Sequence, residues 1–277
     1  MKTVLTIGIA STLALASYAQ TIYDDFSFGP DIPGRVAVTE GTTINDRFVL
    51  EGTGTWKTTG GTNNTHPRFG GTAGTGNGYL DMSNLGSTDT ANVNFDFSSG
   101  NVSATFNFTM DTNGVGGSNS RGIFFGFSAT NPDDSLMTNQ KTDTVWVRIR
   151  PDGVVLRSQI EGVQTNRIDS AITFSGPDDI ASGTVTLTYN LATSTVTATV
   201  LGGSYVFEES ITFTTSSEYT PDLGKVGMNV ITMNNVHIQD ISASVIPEPQ
   251  TLALSFGLFA LTVAMLIRTR YQRKKAV

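Results

Sequence analysis

The chain of 277 residues contains no cysteine. That excludes a disulfide framework, a thiolate metal centre and a cysteine nucleophile. It contains two histidines, His66 and His237, far apart in sequence, which argues against a histidine-clustered metal site. Charge is scarce at 15% of residues, and acidic residues outnumber basic ones 24 to 17. A deficit of Lys and Arg leaves no electrostatic footprint for nucleic acid, so a nucleic-acid partner is not expected. Between residues 20 and 246 no helical periodicity is found. What the chain does have is 29 Gly, 16 Phe, abundant Thr and a long apolar run at each end.

The N-terminal run reads as a secretory signal. Met1-Lys2 supplies a positive start, Val4 to Ala16 an apolar core, and Ser17-Tyr18-Ala19 a small-residue cleavage site. Cleavage is expected after Ala19, making residues 1–19 a signal peptide handled by the secretion translocon and signal peptidase. At the other end Pro247-Glu248-Pro249 precedes an apolar stretch, expected as a single transmembrane helix over about 251–267. Arg268, Arg270, Arg273, Lys274 and Lys275 follow it. At about 1.5 Å per residue such a helix spans roughly 26 Å, barely a bilayer core. Its basic end, 268–275, marks the cytoplasmic side. Pro249 cannot donate an interior helical hydrogen bond and so separates body from anchor.

The triplet, short span and basic end, in that order and paired with a signal peptide, resemble the PEP-CTERM sorting signal of exported proteins in Gram-negative bacteria. The resemblance covers roughly residues 246–275. It implies that an exosortase recognises Pro247, Glu248 and Pro249 and processes the tail, residues 247–277. The precursor would be anchored in the inner membrane, and the mature protein would reach the cell surface or extracellular matrix. A surface protein that keeps its anchor is the alternative. Setting aside Lys2, Glu248 and the five basic tail residues leaves 11 basic and 23 acidic residues in the body, about −12. That charge suits a soluble exported domain.

The body, residues 20–246, shows period-2 alternation of apolar and polar residues. Val102, Ala104, Phe106, Phe108 and Met110 alternate with polar residues. So do Val185, Leu187 and Tyr189, and Val196, Ala198 and Val200, with Thr between them. Each reads as a half-buried antiparallel strand, and Thr suits the pleat on the outer side. Leu191–Ser194 is expected to turn between the two Thr-rich strands, and Asp152-Gly153 to close a two-residue hairpin. The Gly/Thr/Asn-rich stretch 52–78 is expected to contain surface loops and, with Trp56 and His66 in it, is not expected to be wholly idle. About a dozen strands predict an all-β fold, an antiparallel β-sandwich of the jelly-roll type. The opening Tyr23-Asp24-Asp25-Phe26, the hairpin 185–200 and a last strand 236–241 running into Pro247 resemble the LamG-like, concanavalin-type domains. In such a sandwich the first and last strands are expected to be neighbours.

Two groups of residues are candidates for binding. With a turn at Asp152-Gly153, Trp146, Arg148, Arg150, Arg157 and Gln159 share one face of the hairpin, and Arg148 lies opposite Arg157. Like charges directly opposite cost stability. A face that tolerates them suits an acidic glycan, with Trp146 stacked on a sugar and the arginines on its anionic oxygens. The alternative is that each Arg pairs with a neighbouring acid. Asp24, Asp25 and Asp240 form the second group. Brought together by adjacent first and last strands, they would offer hard oxygen ligands to calcium; otherwise they are solvated edge charges. Apart from that calcium no cofactor is expected.

No catalytic pattern is found. Glu208-Glu209 are neighbours, and in a strand they point to opposite faces. Neither His has a nucleophile elbow nearby. The sequence therefore predicts a non-catalytic surface or matrix protein, structural or adhesive within an exopolysaccharide layer. A binding module for acidic glycans is the first alternative, and a polysaccharide-degrading enzyme the second.

Overall fold

The structure is a computed structural model. It describes residues 20–27, 41, 43–59, 67–71, 78–82, 84–98, 100–113, 121–129, 143–161, 163–213, 221–233, 235–246 and 265. The chain divides into two compact units, Gln20–Val245 and Met1–Ala19 with Ile246–Val277. Ala19, the Pro247-Glu248-Pro249 triplet, the basic end and all of the span except Met265 lie outside the described residues. Among the described residues no helix is long and apolar enough to cross a membrane.

The body is an antiparallel β-sandwich. Its strands are β1 (Thr21–Asp24), β2 (Glu51–Gly52), β3 (Lys57–Thr59), β4 (Arg68–Gly70), β5 (Tyr79–Asp81), β6 (Asn84–Asn94), β7 (Asn101–Asp111) and β8 (Gly122–Ser128). They continue with β9 (Thr144–Arg150), β10 (Gly153–Ile160), β11 (Val163–Ser170), β12 (Ile180–Asn190), β13 (Thr195–Leu201), β14 (Phe207–Thr212), β15 (Lys225–Met233) and β16 (His237–Ile246). Nine strands form one sheet along the path β14-β13-β12-β7-β16-β1-β2, with β5 added to β16 and β4 to β5. Seven form the other in the order β11-β10-β9-β8-β15-β6-β3. The first and last strands do pair, with Tyr23 opposite Ser242.

Alternation decides which side chains enter the core. In β7 every second residue from Val102 to Met110 is buried. Phe106 and Phe108 of the nine-stranded sheet meet Phe125 of the seven-stranded sheet, with ring centroids 4.7 and 5.7 Å apart. β12 and β13 bury Val185, Leu187, Val196, Ala198 and Val200 and turn their threonines outward. β8 is different: all seven of its residues are buried. A strand with both faces covered loses the alternation that marks a solvated sheet.

One expectation is corrected. The turn between β9 and β10 is Pro151-Asp152, because Arg150 pairs with Gly153. Neither central residue takes a positive φ. Proline has no N–H to give to a closing pair and its fixed φ suits the second position of a turn, so the turn sits one residue earlier than Asp-Gly alone would place it. The two faces of the hairpin are unchanged, but the partners slide. Arg148 faces Val155, and Arg157 faces Trp146. The like-charged pair is instead Arg157 with Arg167 of β11.

The described part of the stretch 52–78 is not idle, as its Trp56 suggests. It contributes β3 and β4, and Trp56 is fully buried, 5.6 Å from Phe26 ring to ring. Trp56 Nε1 donates to Asp24 Oδ2 at 2.8 Å. A buried indole N–H needs such a partner.

Candidate functional site

The side of the seven-stranded sheet that turns away from the core carries an unusual set of side chains. Its register gives two parallel rows. The first runs Thr90, Asn229, Phe124, Arg148, Val155, Asp169 across β6, β15, β8, β9, β10 and β11. The second runs Asn92, Gly227, Gly126, Trp146, Arg157, Arg167 across the same strands. Directly opposite side chains on one sheet face lie about 5 Å apart, so each row is a chain of contacts.

This face is not a solvated surface. Phe124, Trp146 and Val155 form a second buried apolar cluster, with Ile231 packed against it. Trp146 is 6% exposed, and its ring meets Phe124 edge-on at 5.3 Å. The Arg157 guanidinium lies over Trp146 at 5.6 Å, and that of Arg148 over Phe124 at 6.0 Å. One face of Trp146 is thus already taken by a cation. Arg148 is also 6% exposed, and Gln159 is buried. Arg150 pairs with Asp152 at 3.3 Å and Arg167 with Asp169 at 2.7 Å.

The arginines feel one another. Burial pushes the Arg148 guanidinium below its ordinary pKa, and Arg150 and Arg167 push it further the same way against Asp169 and Asp152. Burial and Arg167 lower Arg157 likewise. Desolvation is the larger cause in both, because a charged group loses water's stabilisation when it is covered. So the five residues that the sequence grouped here, Trp146, Arg148, Arg150, Arg157 and Gln159, do share one face.

Next to them lie polar groups the sequence did not single out. Asn229 is fully buried, and among the described residues neither its Oδ1 nor its Nδ2 has a hydrogen-bond partner. Thr90 Oγ1 and Asn92 Oδ1 are buried as well and have no partner among the described residues. Buried polar groups normally find partners, and each exception costs about 1–3 kcal/mol. In the sequence Asn229 is one more polar residue alternating with Val226, Met228 and Val230, and it looks like an ordinary outward side chain. Only the fold shows that its outward side is closed to water.

Two glycines fill the second row between Asn92 and Trp146. A Cβ on Gly126 would stand 2.3 Å from the Val145 carbonyl oxygen and 2.9 Å from Trp146 Cβ. A Cβ on Gly227 would stand 2.5 Å from the Ala91 oxygen and 2.7 Å from Asn92 Cβ. Cross-strand Cβ atoms ordinarily lie about 5 Å apart, so the neighbouring strands lean in at these points and leave no room for a side chain at either glycine.

The carboxylate trio does not assemble. Asp24 is fully buried on the core side and accepts from Phe26 N–H at 2.9 Å as well as from Trp56. Asp25 and Asp240 are on the other side of the sheet. Burial raises the pKa of Asp240, the Asn107 amide lowers it, and Asp25 raises it. Asn107 Nδ2 donates to both Asp240 oxygens, at 2.8 and 3.1 Å. The three carboxylates therefore do not fit a shared calcium ion, and among the described residues no group of three or more His, Asp or Glu is placed to hold a metal.

His237 stacks on Tyr79 at 4.0 Å, opposite Asp81. Its burial lowers its pKa against the pull of Asp81. Glu208 and Glu209 are both exposed on β14, which ends the path of the nine-stranded sheet.

No family model and no curated protein matches this chain. Solved structures do share its fold. Basic winged bean lectin, solved with Tn-antigen, is 11% identical over 82% of this chain and 98% of its own, with a TM-score of 0.50. Arcelin-5, a lectin-like defence protein from Phaseolus vulgaris, is 10% identical over 83% and 99%, with a TM-score of 0.51. The body thus has the concanavalin-type, legume-lectin-like sandwich.

Proposed function

We propose that this chain is an exported, non-catalytic protein of the bacterial cell surface or extracellular matrix that holds acidic polysaccharide on the outer face of its seven-stranded sheet. The observation that carries this reading is the cluster of Arg148, Arg150, Arg157 and Arg167 on one sheet face of an acidic body. Arg150 and Arg167 each hold an acid of the chain, and carboxylate or sulfate groups along a polymer would add charge-assisted hydrogen bonds to the same cluster. The sandwich shared with lectins supports the architecture, and the PEP-CTERM-like ending supports the destination. In this reading the translocon exports the chain, signal peptidase cuts after Ala19 and an exosortase acts at Pro247, Glu248 and Pro249.

The test is a polymer-binding assay on the purified full-length chain. Polygalacturonate is expected to bind and neutral dextran not to. Arg148→Gln with Arg157→Gln should weaken polygalacturonate binding on the order of 10- to 100-fold, since a hydrogen bond to a charged group contributes about 1.5–3 kcal/mol. Equal binding by the double variant rejects the arginine face. Intact mass of the protein recovered from the cell surface should show a chain beginning at Gln20 and lacking the basic end; full-length mass in every fraction rejects the processing.

A further inference from the structure

One end of the sandwich holds a cavity that shares no residue with the arginine face. Its volume is about 480 Å³, within the roughly 300–1,000 Å³ of small-molecule sites. Both sheets build it. The seven-stranded sheet supplies residues 94–98, at and just after the end of β6, and Leu223 and Gly224, which lead into β15. The nine-stranded sheet supplies Tyr189 at the end of β12, Leu191 just after it and Gln20 ahead of β1. Hydrogen bonds tie these walls together. Phe95 N–H donates to the Gly224 carbonyl at 2.9 Å, and Asp96 N–H donates to Gln20 Oε1 at 2.6 Å. A site whose walls are already fixed loses little freedom when it is filled. Asn94, Asp96 and Ser98 are exposed, so the cavity is open to solvent on their side.

Alternation divides the lining in two. Phe95 and Phe97 are buried, and so are Tyr189 and Leu223. The Phe97 ring lies 5.7 Å from that of Phe95 and 6.3 Å from that of Tyr189. Leu191 packs against the same cluster. These side chains make an apolar floor. Asp96, between the two phenylalanines, is exposed. Its Oδ1 accepts from the Ser98 hydroxyl at 2.6 Å and from the Ser98 N–H at 2.8 Å. Those bonds, the hydroxyl's first, hold its carboxyl below the usual carboxylate range against a small opposing effect of burial. The rim therefore carries an anion at neutral pH, and among the described residues that line the cavity there is no Lys, Arg or His.

This lining selects by charge and by shape. An anionic ligand is repelled by Asp96. One carboxylate is too few for a hard metal ion. A sugar would turn hydroxyls towards an apolar floor that has no partners for them. A wholly apolar ligand would cover the Asp96 charge and return nothing to it. An apolar group that ends in a protonated amine meets both halves: carbon against the floor, N–H donors on the carboxylate.

We infer that this cavity is a binding site for a small organic amine, with Phe95, Phe97 and Leu223 receiving its apolar body and Asp96 its ammonium group. The site goes beyond the arginine face and has the opposite sign.

The experiment titrates the purified full-length chain at pH 7 with three probes of one shape, followed by calorimetry. Phenethylamine is expected to bind, 2-phenylethanol about tenfold more weakly, and phenylacetate not measurably. Asp96→Asn keeps an oxygen for Ser98 to donate to, so it should bring phenethylamine down to the affinity of 2-phenylethanol and leave the alcohol unchanged. Leu191→Ser should weaken the amine and the alcohol by the same factor. The site is overturned if phenethylamine does not bind, if the alcohol or phenylacetate binds as tightly, or if Asp96→Asn binds the amine like the wild type. The three probes on the unaltered chain decide the matter even where a variant fails to fold. Polygalacturonate reports on the arginine face alone, so each reading fails without the other.

Discussion

The two outward faces of this sandwich solve the same problem in opposite ways. On the nine-stranded sheet the outward residues are mostly Thr and Ser, half-exposed, and they bond to one another. Thr105 meets Thr186 at 3.2 Å, Thr195 meets Thr212 at 2.8 Å, and Thr197 meets Ser210 at 2.8 Å. Thr184 donates to Asn107, which in turn holds Asp240. Polar groups there have partners or water, and the cost of each is small. On the seven-stranded sheet the outward residues are Arg, Trp, Phe and Asn, several of them buried, with Asn229 orphaned and Arg157 set opposite Arg167. The same fold thus makes an inexpensive outer face and an expensive one beside it.

The largest expected effect comes from adding a side chain at Gly227, where the neighbouring strand leaves no room for one. Gly227→Val would press a branched side chain towards the Ala91 carbonyl and Asn92 Cβ, both nearer than any relaxed Cβ contact. The neighbour at risk is backbone, which cannot swing aside. We expect a loss of roughly 2–3 kcal/mol in denaturant unfolding, at the upper end of overpacking costs. If Gly227→Val unfolds at the wild-type midpoint, the strands beside Gly227 yield easily and the contrast between the faces weakens.

How much of this was legible in the sequence follows from which forces act locally. Alternation placed Val102 to Met110, the Thr-rich hairpin and the two faces of β9 and β10 correctly, because the period of a strand is a property of the backbone itself. The turn at Pro151-Asp152 was missed because Asp-Gly was weighed and the missing N–H of Pro151 was not. β8 carries no alternation to read, since both of its faces are covered. Trp56 sits among glycines and threonines, and nothing in its neighbours announces the distant partner Asp24. The arginine face was legible because charge is rare in this body and three arginines fall at every second or matching position. Asn229, Thr90 and Asn92 were not, because what singles them out is burial on the outward side.

A smaller effect is expected at Asp240, the member of the Thr-rich sheet whose charge is costly. Its folded pKa is raised by burial and by Asp25 despite the Asn107 amide. A carboxyl whose pKa is raised on folding adds stability while protonated and loses it as pH rises through the folded value. The ionised form therefore costs stability at neutral pH. Asp240→Asn should raise unfolding stability at pH 7 by no more than about 1 kcal/mol, discounted because the group is part-exposed. The gain should vanish near pH 3, where the wild-type carboxyl is protonated in both states. Denaturant titrations of both proteins at the two pH values measure it; a gain that persists at pH 3 would mean that charge is not its cause.

The smallest effect separates the faces most cleanly. Thr197→Val removes a hydroxyl that bonds Ser210 at 2.8 Å on the outer side of β13. Val keeps the branched Cβ that suits a strand, and Ser210, exposed on β14, can turn to water. Unfolding stability should change by less than about 0.5 kcal/mol, and polygalacturonate binding should not change at all. The second half of that expectation decides more than the first. If removing one hydroxyl from the Thr ladder lowers polymer affinity, the ladder is itself a ligand surface, and the division of labour between an inexpensive solvated face and a costly binding face has to be redrawn with the two sheets exchanged.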